Sequence, residues 1–275
     1  MKFACSTWMM PGDTFLKKLH AAACYGFDGV EIRLFEEDAT PEAIREIKFG
    51  LRETGLTACS LIMPGETYRA PLLDTERMEE KIELSKKALD AAAELGCPTI
   101  VCPEYGPQIP LPLFDHPRRP SQGIHYLLIE FLQTVAEYAQ KEAGTDAMIE
   151  PINRYETRFY YTLDDGAEVI REVGSPNLKL LADIFHMSME EVSIPDAIRK
   201  NGSLIRHFHL GDSNRLMPGQ GHTDFRAAFK ALHEVGYEGY CALECSTPGE
   251  PDAVFPECVR YLKEQARLAK EDLSD

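Results

Sequence analysis

Eight short runs rich in β-branched and small apolar residues, separated by longer segments of helical periodicity, constrain this chain more than any other feature. They are Phe3–Thr7, Val30–Leu34, Ala58–Met63, Thr99–Pro103, Ala147–Ile152, Lys179–Ile184, Arg206–Leu210 and Tyr240–Cys245, each five or six residues long. Strands that alternate with helices pair in parallel, because a helix is what carries the chain back to the starting edge of the sheet. Eight is the number that closes a parallel sheet on itself.

The intervening segments carry their own start and stop signals. Thr40-Pro41-Glu42 offers a hydroxyl cap followed by proline at the first helical position, and Thr162 precedes Asp164 and Asp165 in a first turn that tolerates negative charge. Between Thr75 and Leu95 the apolar residues Met78, Ile82, Leu89, Ala92 and Ala93 form one stripe, as on a helix packed by one face. Gly26, Gly55, Gly96, Gly174 and Gly236 each end a helical segment before a strand. GFDGV at Gly26–Val30 and GYEGY at Gly236–Tyr240 read as the same helix-to-strand turn in two units. An open doubly wound sheet shares the alternation, but its first turn is usually Gly-rich, and here it is Trp8-Met9-Met10-Pro11-Gly12. The expected fold is therefore α/β, a (β/α)8 TIM barrel formed as a single domain by residues 1–275, since such barrels use about 250 residues as one unit. The proline-rich segment from Glu104 to Pro120 cannot be helical and is expected as a rim loop or lid after the fourth strand.

Composition narrows the partners. With 44% hydrophobic and 27% charged residues the chain can bury a large core as a water-soluble protein. A net charge of -16 opposes nucleic acid, whose binding rests on clustered lysine and arginine. No apolar stretch approaches the ~18 residues that suggest a bilayer span, and the start MKFACSTWMM reads as a strand rather than a leader. The eight cysteines contain no Cys-x-x-Cys pair and lie mostly in apolar contexts, which predicts reduced core residues and a cytoplasmic protein.

In such barrels chemistry collects where strands end. The fifth to eighth strands end on Glu150, Asp183, His209 and Glu244, each in or just after an apolar run where a lone charge costs several kcal/mol. An arginine or backbone donor could offset any one of them. Four at equivalent positions, with Met148, Leu181, Phe208 and Leu243 nearby and no matching cations, point to a shared metal ion. Three carboxylates and one imidazole suit Mn²⁺ or Mg²⁺, with Co²⁺ an alternative, rather than a sulfur-rich zinc site.

These motifs (AMIEPINRYE, LLADIFHM, RHFHLGDSNR and CALECS) resemble the D-tagatose 3-epimerase and D-psicose 3-epimerase group of the xylose isomerase-like TIM barrels. The resemblance implies one divalent metal on Glu150, Asp183, His209 and Glu244, Mn²⁺ favoured, with Glu156, His186 and Arg215 contacting a sugar substrate. It also implies a homodimer or homotetramer. The reaction expected is C3 epimerisation of a ketose. The metal stabilises an enediolate while Glu150 and Glu244, nearly across the barrel from each other, act as a pair of proton-transfer groups on opposite faces of C3.

Each residue also has a plainer reading. Arg215 can be a solvated rim arginine, His186 and Glu156 can be polar residues around the next helix, and Arg118-Arg119 is either a phosphate contact or a pair of solvated loop charges. His207, two before His209 on the same strand face, is expected as a satisfied interior histidine or a partner orienting a ligand. Glu31 is read either as such a partner or as one half of a buried pair with an arginine. A sugar-phosphate epimerase, a hydroxypyruvate isomerase or an inosose dehydratase would reuse the same ligands. The last loop, Ser246 to Pro251, carries Glu250 and shows no clear phosphate nest, which favours an unphosphorylated ketose. An apurinic endonuclease would need histidines where Met63-Pro64 and Pro103-Glu104 stand. A non-catalytic sugar-binding protein would not need both Glu150 and Glu244.

Overall fold

The computed structural model describes residues 1–72, 75–105 and 120–273. Its strands are β1 (Lys2–Ser6), β2 (Gly29–Arg33), β3 (Thr57–Ile62), β4 (Thr99–Ile100), β5 (Ala147–Ile149), β6 (Leu178–Asp183), β7 (Ile205–Leu210) and β8 (Tyr240–Leu243). All pair in parallel in chain order, and β8 returns to β1 through Lys2 opposite Tyr240 and Ala4 opposite Ala242, closing the barrel. All eight predicted strands are present. Two strands end three residues earlier than predicted: β4 stops at Ile100, although the Val101 N–H still donates to the Met148 carbonyl at 2.9 Å, and β5 stops at Ile149.

The helices are α1 (Phe15–Tyr25), α2 (Pro41–Thr54), α3 (Glu66–Arg69), α4 (Thr75–Leu95), α5 (Gln122–Tyr138), α6 (Leu163–Val173), α7 (Ile184–Glu190), α8 (Ile194–Asn201), α9 (Phe225–Glu234) and α10 (Pro251–Glu271). The capping signals operate as chemistry requires. Thr40 accepts the Ala43 N–H, and Thr162 with Asp165 forms a reciprocal capping box. All five predicted stop glycines hold a left-handed backbone, with φ between 69° and 90°.

Alternation along the strands sends one set of side chains to the helices and the other into the barrel. Phe208 and Leu243, which directly precede His209 and Glu244, belong to the large apolar cluster between sheet and helices. Inside, Ile100, Met148 and Leu181 pack as one cluster, and Ala4, Cys59 and Ala242 as another. Two register shifts tune the interior. One lies between Val30 and Glu31, where the β3 partner jumps from Ala58 to Ser60, and the other lies between Leu180 and Leu181, where the β7 partner jumps from Ile205 to His207. Each inserts an extra residue and re-aims the side chains beyond it, bringing Ser60 opposite Glu31 and His209 opposite Asp183. Among the described residues no helix is long and apolar enough to cross a membrane. Arg118, Arg119 and most of the expected rim loop lie outside the described residues.

Candidate metal centre and active site

Glu150 follows the last residue of β5, Asp183 ends β6, His209 is the penultimate residue of β7 and Glu244 follows β8. One ligand atom from each of the four lies within 4.8 Å of the others. His209 Nδ1 stands 3.5 Å from Glu244, 3.7 Å from Glu150 and 3.9 Å from Asp183. Ligand atoms held at about 2.1–2.3 Å from a common divalent cation fall at such separations. Glu150 Oε1, Asp183 Oδ2 and His209 Nδ1 are all buried without a hydrogen-bond partner. Buried polar atoms are nearly always satisfied, so three orphans gathered within one cluster fit a divalent cation as their common partner.

Asp183 shows how the fold divides a carboxylate between two tasks. Its Oδ1 accepts the backbone N–H groups of Phe185 (2.7 Å) and His186 (3.4 Å), capping α7, which leaves Oδ2 for the site. His209 is divided likewise. Its Nε2 lies 2.8 Å from Glu31 Oε2, so the ring gives its proton to Glu31 and turns Nδ1 toward the carboxylates. Glu31 also accepts from Ser60 Oγ at 2.7 Å and lies 3.5 Å from His207, whose Nε2 is 3.2 Å from the same hydroxyl. Glu31 is therefore the partner that orients His209, and among the described residues no arginine pairs with it; Arg33 instead lies over Trp8 and Phe35. His207 is a satisfied interior histidine, and burial lowers its pKa.

The carboxylates differ electrostatically. Burial raises the pKa of Glu150. For Asp183 burial acts in the same direction but is outweighed, chiefly by the Arg215 guanidinium, and for Glu244 it is outweighed by His209 and Arg215, so both are lowered.

The three expected substrate contacts gather around this cluster in different ways. His186 is buried on α7, with Nε2 3.8 Å from both Glu150 and Asp183. Its Nδ1 receives Asn153 Nδ2–H (2.7 Å) and the Asn153 backbone N–H (3.3 Å). The Asn153 amide is itself oriented, because its Oδ1 accepts from the Tyr155 N–H and its Nδ2 also donates to Glu156. Nδ1 must then be the acceptor, and the His186 proton sits on Nε2, facing the site. Arg215 NH1 stands 3.1 Å from that nitrogen and 3.5 Å from Asp183 Oδ2, so two donors converge beside one carboxylate oxygen. Arg215 stacks on Phe185 at 4.5 Å, pairs with Glu244 through NH2, and holds the only left-handed non-glycine backbone among the described residues (φ 57°). Glu156 is outside the four-ligand cluster; it holds Asn153, and a hydrogen bond with Tyr105 adds to the burial that raises that phenol's pKa.

Two residues escaped the sequence reading. Asn153 is 1% exposed and fixes the His186 ring. Asp212 is fully buried and accepts N–H groups from Ser213, Gly219 and Thr223, holding the loop that carries Arg215. A signal existed only for Asp212: an aspartate inside a run of Ser, Asn, Pro and Gly favours side-chain-to-backbone turns.

Residues 19–265 match the family described as xylose isomerase-like TIM barrel. The chain is 29% identical over 254 residues to 3-dehydro-D-guloside 4-epimerase of Escherichia coli (strain K12), covering 91% of this chain and 95% of that one. It is 27% identical over 241 residues to D-psicose 3-epimerase of Agrobacterium fabrum (strain C58), covering 86% and 80%. Among solved structures, 3-keto-D-glucoside 4-epimerase from E. coli superposes with a TM-score of 0.85 at 27% identity, covering 96% of this chain and 99% of that one. A match spanning nearly the whole barrel, including all four strand ends that converge at its mouth, leads to one conclusion: the protein belongs to the xylose isomerase-like TIM barrel family.

Proposed function

We propose that the chain is a divalent-metal-dependent sugar epimerase that inverts C3 of a ketose, with Glu150 and Glu244 as the two proton-transfer groups. The observation that carries this reading is the set of orphaned, buried ligand atoms at the ends of β5, β6 and β7, joined by the Glu244 carboxylate at the end of β8. The donor set of three carboxylates and one imidazole fits a hard divalent ion, Mn²⁺ ahead of Mg²⁺ or Co²⁺. When bound, such an ion supplies Lewis-acid stabilisation of the negative charge that develops next to the carbonyl.

The protein's own residues do the rest. A C3 hydrogen next to a C2 ketone is acidic enough to leave as a proton when a carboxylate is held against it. Glu150 and Glu244 come from strands three apart in the ring, so one removes the proton from one face and the other returns one to the opposite face. C3 is thereby inverted, and each carboxylate resets by exchange with solvent. Arg215 keeps Glu244 ionised and, with the His186 Nε2–H, offers donors to substrate oxygens. The similarity to D-psicose 3-epimerase supports a ketose as substrate.

A second reading comes from 3-dehydro-D-guloside 4-epimerase, whose alignment covers 95% of that protein. There the ketone is at C3 and the inverted carbon at C4, but the proton step is the same. Incubation in D₂O with Mn²⁺ distinguishes the readings. Deuterium at C3 of a 2-ketose is the expected result, deuterium at C4 of a 3-keto sugar favours the second, and no exchange in either panel overturns both. The cytoplasm and a homodimer or homotetramer complete the proposal, the latter checked by light scattering.

A further inference from the structure

The cavity above the candidate metal centre is lined on one side by Glu150, His186, Arg215 and Glu244, and on the other by Arg33 and Arg69. Arg33 ends β2 and, two residues after Glu31, lies on the same inward face one layer nearer the mouth. Arg69 ends α3, in the connection after β3. In a ring of eight, β2 and β3 stand opposite β6 and β7, so the two arginines face the metal ligands across the mouth.

Both guanidinium groups are held in place without being neutralised. Arg33 lies 5.9 Å from the Trp8 ring and 5.4 Å from Phe35, and Arg69 lies 5.9 Å from Tyr105. Among the described residues neither meets a carboxylate at ion-pair distance, although the chain carries 45 acidic residues against 29 lysines and arginines. Aromatic stacking orients a guanidinium while leaving its N–H fork free, and that fork is shaped for the paired oxygens of a phosphate or carboxylate. A structural arginine could equally have been satisfied by one of the many available acids.

We infer that Arg33 and Arg69 form an anion subsite, so that the ketose carries a phosphate or carboxylate at the end remote from the reacting carbon. This rests on the epimerase reading for the orientation of the sugar. It places the anion on the β2–β3 side, not in the last two loops where a barrel phosphate site is usually built.

The test is calorimetric binding of D-fructose, D-fructose 6-phosphate and D-fructuronate to the Mn²⁺-loaded enzyme, with C3 deuterium exchange read on the same samples. One of the two anions is expected to bind at least about tenfold more tightly than D-fructose, and which one identifies the group. R33Q and R69Q should each reduce that ratio several-fold, the double variant should abolish it, and R33K and R69K should retain part of it. Equal binding of all three sugars, binding of none, or a ratio that survives in the double variant overturns the subsite. Anion preference without exchange in any sugar overturns the epimerase reading and leaves the subsite standing. Exchange without anion preference does the reverse.

Discussion

Two polar clusters share His209 and differ in one respect. The deeper one, Glu31, Ser60 and His207 with His209 Nε2, closes its hydrogen bonds internally. The upper one, Glu150, Asp183, Glu244 and His209 Nδ1, leaves three buried atoms without hydrogen bonds. Stability alone explains the first, because each buried donor or acceptor there has a partner. It does not explain the second, where charge is concentrated and left open. Under the proposed function the deeper cluster is the support and the upper one the working site, and the imidazole between them passes orientation from one to the other.

The contrast breaks most readily at the upper cluster. E150Q and E244Q should each lower deuterium exchange by roughly 10³–10⁴-fold, since each removes a proton-transfer group. The metal-free E150Q protein should unfold at or above the wild-type temperature, because burial already disfavours that charge, whereas E244Q leaves Arg215 without its carboxylate and should unfold lower. A large fall in melting temperature for E150Q would make the upper cluster structural and sink the comparison.

A buried charge outside both clusters sharpens it. Lys81 on α4 donates to the carbonyls of Tyr68 (2.7 Å) and Cys102 (3.2 Å), and burial lowers its pKa to about 8. The folded protein therefore loses this proton before the unfolded chain does. The cost of burying the ammonium is full below pH 8 and is relieved as pH rises toward the unfolded value near 10.5. Wild-type stability minus that of K81M should rise by about 3 kcal/mol across that window. Paired denaturation curves at about pH 7.5 and about pH 10 check it, and a flat difference would mean that Lys81 stays charged.

At the supporting cluster the signs reverse. E31Q should destabilise the metal-free protein by roughly 2–4 kcal/mol, because the Gln amide turns donors toward His207, His209 or Ser60. It should also weaken Mn²⁺ binding, measured by calorimetry, by about 10–100-fold. Unchanged affinity would show that Glu31 does not set the His209 tautomer. The smallest effect belongs to N153L, which frees the His186 ring. The expected result is a KM raised by up to about tenfold with unchanged Mn²⁺ affinity, and a change in kcat alone would assign Asn153 a different role.

How legible each feature was depended on the range of the interactions that define it. Strand and helix periods, Thr40 and Thr162 as caps and the stop glycines are local, and each reappears in the fold at or near its expected position. The four clustered strand-end residues were legible because three acids and a histidine in apolar runs are anomalous wherever they fold. The role of Glu31 was not, because its partner His209 lies 178 residues away and the register shift at Ser60 leaves no trace in composition. Asn153 was hidden for the same reason, as one polar residue among several in a loop.

The sequence by itself determined that eight strands would alternate with helices and that charged residues would end the last four of them. Only the tertiary structure decided which oxygen of Asp183 caps a helix and which faces the site, which nitrogen of His209 is free, and that Arg33 and Arg69 share a wall. Period and burial propensity act through the nearest neighbours in the chain, whereas the direction of a lone pair is set by whatever the closed barrel brings against it.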